Sequence, residues 1–107
     1  MAMNEDFAQF VMEQMSGLRD VTLRRMFGGG GIFQDGKMFA LVHEASLYLK
    51  VDEDSKVLFE ERGMERFLPF KDRPMRMPYY EVPPEVLEDR DILERWSRRS
   101  IEIAHSR

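Results

Sequence analysis

The residues of this 107-residue chain best suited to chemistry form one run, Arg24-Arg25-Met26-Phe27-Gly28-Gly29-Gly30-Gly31. Consecutive glycines let backbone N–H groups converge on an anion, and two arginines would add charge. A phosphate loop, however, opens directly into a helix carrying a lysine and a hydroxyl. Here the glycines are followed by Ile32-Phe33, which reads as a strand. The plainer reading, favoured here, is a strand bend where only glycine fits sterically. Because strand side chains alternate, Arg24 and Arg25 must face opposite sides, so at most one joins a given site.

Other candidates are more diffuse. Lys37, Lys50, Lys71, Arg73 and Arg76 lie in or beside strand-like segments. With Arg24 or Arg25 they could make a basic patch for an acidic partner or nucleic acid. An ordinary solvated sheet face with edge lysines explains them more simply. Tyr79-Tyr80 alternate across a strand, so one should bury while the other is free to reach the surface, and Tyr80 is kept as a candidate contact. Stacking platforms use such aromatics, but the basic-aromatic signature of RNA-recognition strands is missing, and a core role with a hydrogen-bonded hydroxyl is the favoured reading. His43 and His105 show no metal-ligand spacing. Asp52-Glu53-Asp54 lacks the glycine and distal glutamate of an EF-hand loop and reads as a helix start. None of the six serines sits in a Gly-x-Ser-x-Gly elbow. We therefore expect no catalytic residues, no metal and no cofactor.

The elements that must position these residues follow from period and punctuation. Asn4, followed by Glu5 and Asp6, caps a first helix whose apolar stripe is Phe7, Phe10, Val11, Met15 and Leu18, with Gly17 near its end. Residues 21–27 read as a strand, and the glycine run at 28–31 interrupts it as a turn or bulge. A second strand starts at Ile32 and runs to Gln34. Asp35-Gly36 is a type I′ turn signal, followed by a strand over 37–43, a short turn at Glu44-Ala45 and a strand over 46–51. Asp52 or Asp54 caps a second helix over 53–62, with Gly63 as its C′ residue. Residues 64–74 are loop. Residues 75–82 read as a fifth strand, placed at an edge or bulged because Pro78 has no donor. A helical turn covers 85–87. Asp91 with Glu94 forms a capping box for the last helix, whose buried stripe is Ile92, Leu93, Trp96, Ser100, Ile103 and Ala104. The expected core includes Phe7, Phe10, Val11, Phe27, Phe39, Leu41, Leu47, Leu49 and Trp96.

Length and composition bound the rest. A chain of this length is expected to form one domain over residues 1–107 with a single core. The 43% apolar and 34% charged fractions argue against disorder. With no cysteine, disulfides and thiolate chemistry are excluded. No apolar run approaches the ~20 residues that span a bilayer, and the N-terminus lacks a signal-peptide pattern. A cytoplasmic location with no membrane association follows as the expectation. The net charge of −4 offers nucleic acid no global attraction.

Three segments, Arg24-Arg25-Met26-Phe27-Gly28-Gly29, Asp35 to Val42 and Leu47 to Asp52, resemble the N-terminal domain of the TfoX/Sxy family of bacterial competence regulators. The likeness continues through Tyr79-Tyr80-Glu81-Val82-Pro83 and Leu87-Glu88-Asp89 to Trp96, covering roughly residues 5–104. It implies an α+β fold: an antiparallel meander of about five strands, with N-terminal, middle and C-terminal helices packed mainly on one face, as in type III secretion chaperones. It further implies a first domain standing without the C-terminal helical domain of full-length regulators. The glycine run is longer than the family pattern, and Pro78 before the tyrosines departs from it. The expected function is a non-enzymatic regulatory or protein-interaction domain, linked to transcription or competence, with a protein partner and self-association as a homodimer. One alternative is a small-anion binder or enzyme built around Gly28–Gly31. Another is nucleic-acid binding through basic sheet residues. The candidate contact residues are Arg24, Arg25, Gly28, Gly29, Lys37, Lys50, Arg73, Arg76 and Tyr80.

Overall fold

The computed structural model describes residues 3–26, 28–68 and 78–106. Five antiparallel strands form one sheet in sequential order: β1 (Val21–Met26), β2 (Gly29–Gln34), β3 (Lys37–His43), β4 (Ser46–Lys50) and β5 (Tyr79–Glu81). Four helices complete the fold: α1 (Glu5–Gln14), α2 (Lys56–Glu60), α3 (Pro84–Leu87) and α4 (Arg90–His105). This is the expected α+β meander.

Short-range chemistry sets the hairpins. Asp35 and Gly36 take φ of 54° and 83°, the paired positive values of a type I′ turn. Glu44 takes φ 54° in the next turn. The glycine run departs from expectation. Gly28 alone among its four residues has positive φ, and Gly29, Gly30 and Gly31 lie in the β2 ladder opposite Met26, Arg25 and Arg24. The bulge sits elsewhere: Ile32 faces Ala40 and Phe33 faces Met38, so Phe39 is the extra residue of β3. Crowding explains the glycines. A Cβ on Gly29 would stand 2.3 Å from the Val42 carbonyl oxygen, and one on Gly31 would stand 2.7 Å from Met26 Sδ.

Helix ends follow the cap rules, with corrections. The Asn4 side chain accepts from the Phe7 N–H at 2.9 Å. Helix α1 ends at Gln14 with Met15 as its cap. Gly17 is not a terminator; a Cβ there would strike the Glu94 carboxylate. Asp52 and Ser55 form a reciprocal box before α2: Ser55 N–H donates to Asp52 Oδ1 at 2.8 Å, and Asp52 N–H donates to Ser55 Oγ at 3.0 Å. After α2, Gly63 takes φ 76°, and Met64 N–H reaches the Phe59 carbonyl in a Schellman closure. The cap of α4 is Asp89, not Asp91. Asp89 is the extended residue, φ −105° and ψ 105°, and accepts from Ile92 N–H at 3.1 Å. Asp91 falls inside the first turn, where it suits the helix dipole.

The core lies between one sheet face and the helices. Val11, Met15, Ile32, Phe39, Leu47, Leu49 and Leu93 are fully buried there. Ser100 Oγ donates to the Lys50 carbonyl at 2.8 Å, tying α4 to the end of β4. Three core expectations need correction. Phe10 is exposed on α1 at 38%. Trp96 is only partly buried, packed edge-on against Phe59 with ring centroids 4.8 Å apart. Leu41 is buried, but on the opposite sheet face from the helices, as its register with Gly31 and Tyr48 requires. Phe27, the expected start of β5 at 75–77, and the candidates Lys71, Arg73 and Arg76 lie outside the described residues.

Candidate interaction face

The second sheet face carries no described helix. Strand alternation places Arg24, Met26, Gly31, Phe33, Met38, Leu41, His43 and Tyr48 on it. Met26, Phe33, Met38, His43 and Tyr48 are half-buried, and Leu41 is buried at the centre. Gly31 keeps the middle of this face low, since any Cβ would meet Met26 Sδ, Met38 Sδ and the Phe33 ring within 3.0 Å. The Arg24 guanidinium lies over the Phe33 ring, 5.2 Å from its centroid.

Residues 65–67 complete the arrangement. Phe67 N–H donates to the Tyr79 carbonyl at 2.8 Å and Glu81 N–H to the Glu65 carbonyl at 3.0 Å, so this segment covers the outer edge of β5. Phe67 then sits edge-on to Tyr48, centroids 4.8 Å apart, and to His43 at 5.5 Å. Burial raises the Tyr48 phenol above its ordinary value, reinforced by the Glu81 charge. Tyr79 lies beneath, its hydroxyl donating to the Met38 carbonyl at 3.3 Å. Burial pushes its phenol up to about 12. Both tyrosines hold their protons at neutral pH. The face offers sulfur, aromatic rings and the cations Arg24 and Lys50, materials suited to contact rather than proton transfer.

The sequence candidates scatter. Arg24 belongs to this face. Arg25 points to the helix side and pairs with Glu5 of α1. Gly28 makes the turn, and Gly29 packs against Val42. The run's backbone N–H groups lie along an extended strand and do not converge. Lys37 is exposed at a hairpin tip. Lys50 ends β4 opposite Tyr79, on the same face as Tyr48 and Arg24, while its carbonyl meets Ser100 of α4. Tyr80 does not reach the surface: it is 8% exposed on the helix side and donates to Glu60 Oε2 at 2.6 Å, a bond that raises its pKa. Both tyrosines of the pair are therefore buried, on opposite faces: Tyr80 packs against Phe59 and Glu60 of α2, and Tyr79 reaches under the sheet to Met38. Sequence reasoning missed Phe33, Met38, Tyr48 and Phe67 as a group. Alternation from the Asp35-Gly36 turn would have placed Phe33 with Met38, but the bulge at Phe39 shifts the register beyond, and Phe67 lies in a loop.

Among the described residues, no three His, Asp or Glu side chains are grouped to hold a metal ion, and no helix is long and apolar enough to cross a membrane. The profile of the TfoX N-terminal domain matches residues 13–104. The chain belongs to the TfoX N-terminal domain family. It is also similar to a DNA transformation protein, TfoX1 of Aliivibrio fischeri, with 46% identity over 44 residues. That match covers 41% of this chain and 21% of the relative, so the chain corresponds to a minor part of that protein's length.

Proposed function

We propose that this TfoX N-terminal domain is a non-enzymatic regulatory module that binds a protein partner through the helix-free sheet face. The carrying observation is the half-buried cluster of Met26, Phe33, Met38 and Tyr48 around Leu41, bordered by Phe67 and Arg24. Methionine adapts its shape to a partner, and aromatic rings give large contact area at low entropic cost. The transformation-protein relative supports a role in competence or its transcriptional control, and a cytoplasmic location fits that role. The burial of both Tyr79 and Tyr80 takes that pair out of any stacking surface. The extended glycine ladder likewise weakens an anion loop at Gly28–Gly31.

Pull-down from the source cell, read by mass spectrometry, tests this reading. Phe33→Glu should lose a protein that both the wild type and Lys37→Glu retain, with circular dichroism unchanged. Equal retention by Phe33→Glu would reject the face as the binding surface.

A further inference from the structure

A hollow of about 250 Å³ opens between α2 and α4, on the helix side of the sheet. Its apolar wall is Leu58, Phe59 and Trp96. Leu58 is 44% exposed, an apolar side chain left in solvent beside an open space. The rim is basic. Arg95 and Arg99 stand one helical turn apart on α4, where like charges repel unless an anion sits between them. Arg99 is steered by Asp52, its Nη2 3.2 Å from Oδ2. Arg95 makes no ion pair among the described residues. Of the two hydroxyls of the lining, Ser100 Oγ donates to the Lys50 carbonyl, whereas Ser55 Oγ accepts from Asp52 N–H and keeps its own O–H as a donor. The recognition chemistry of the hollow is therefore an apolar wall with a guanidinium rim and the Ser55 hydroxyl donor.

We propose that this hollow binds a small organic anion, its aromatic or aliphatic body against Leu58, Phe59 and Trp96 and its carboxylate or phosphate on Arg95 and Arg99. The volume, at the small end of ligand pockets, suits a single ring or short chain rather than a dinucleotide. Guanidinium forks match carboxylate and phosphate oxygens, and the second arginine keeps free donors after its bond to Asp52. The site is independent of partner binding at the sheet face, and either can fail without the other.

Trp96 is the chain's one tryptophan, so the wall reports on itself. Phenyl phosphate and benzoate are titrated against Trp96 fluorescence, with inorganic phosphate as the body-free control. Saturable change with half-saturation at about 0.1–1 mM is expected for at least one organic probe, as ligand efficiency at this size allows. Inorganic phosphate should bind about tenfold or more weakly. Arg95→Gln, on an exposed side chain, should weaken the organic probe about fivefold or more, and Leu58→Asp should abolish binding. Thermal unfolding of each variant verifies the fold. Absence of saturation by both organic probes to ~10 mM, equal affinity for inorganic phosphate, or unchanged affinity in folded Arg95→Gln would each overturn the proposal.

Discussion

Alanine substitution along the glycine run separates steric necessity from anion chemistry. At Gly29 the added methyl would stand 2.3 Å from the Val42 carbonyl oxygen, which is backbone in the adjoining β3. Relief requires parting β2 from β3 and straining their ladder. Overpacking of that kind costs about 1–3 kcal/mol, and a backbone obstacle belongs at the upper end. The smaller unfolded-state entropy of alanine returns about 0.4–1 kcal/mol. The net expectation for Gly29→Ala is a loss of ~2 kcal/mol. At Gly31 the obstacles are methionine sulfurs at 2.7 and 2.8 Å, ends of flexible side chains that can swing aside. Gly31→Ala should lose ~1 kcal/mol or less. Gly36→Ala meets nothing within 4 Å but must hold φ 83°, a conformation that costs about 1–2 kcal/mol with a Cβ. Urea unfolding followed by Trp96 fluorescence gives all three values. Gly29→Ala as stable as wild type, or less damaging than Gly31→Ala, would refute the crowding argument and reopen the anion-loop reading.

Trp96→Ala should cost about 2–3 kcal/mol, below the ~3–5 expected of a fully buried ring, because the indole is only partly buried, between Phe59 and the Arg62 guanidinium; a loss under ~1 kcal/mol in denaturant would mean that α4 is not anchored by the Phe59 contact. Asp89→Ala should lose ~1 kcal/mol as a true N-cap, while Asp91→Ala should lose only a few tenths, and thermal melts of the pair reverse this order if Asp91 is the cap. Tyr79 keeps its proton in the folded state up to about pH 12, whereas the unfolded phenol ionises near pH ~10. Stability should therefore be intact below pH ~10 and fall by up to ~2–3 kcal/mol toward pH ~12; Tyr79→Phe should flatten that decline, and an unchanged slope would remove Tyr79 as its cause. With the outer edge of β5 covered by residues 65–67, the expected homodimer has β1 as its edge for pairing; light scattering should give twice the 12.7 kDa chain mass, and a monomer at all micromolar concentrations would exclude it.

The parts of this fold legible in the sequence were those decided by neighbours along the chain. Asn4, Asp35-Gly36 and Gly63 each act within a few residues, and each sits where its type demands. The glycine run holds residues that only glycine fits, as expected, but in a straight ladder and not a bend, because the crowding is non-local: the atoms that exclude a Cβ belong to Val42, Met3 and Met38, outside the run. Asp89 and Asp91 are chemically identical two residues apart, and backbone dihedrals rather than residue type choose between them. Strand periodicity placed β3 correctly, yet the bulge at Phe39 hides which residues share a face beyond it. The interaction face was the least legible feature. It depends on Phe67, in a segment without periodicity, folding back over β5 to meet His43 and Tyr48.

Photo-crosslinking in living source cells tests the central claim most directly. The crosslinker p-benzoylphenylalanine replaces Phe33 on the helix-free face or Phe10 on exposed α1, so each exchange is aromatic for aromatic and each site reaches solvent. A discrete protein adduct is expected from position 33 and none from position 10. Adducts from position 10 alone, equal adducts from both, or no adduct from position 33 would contradict the claim.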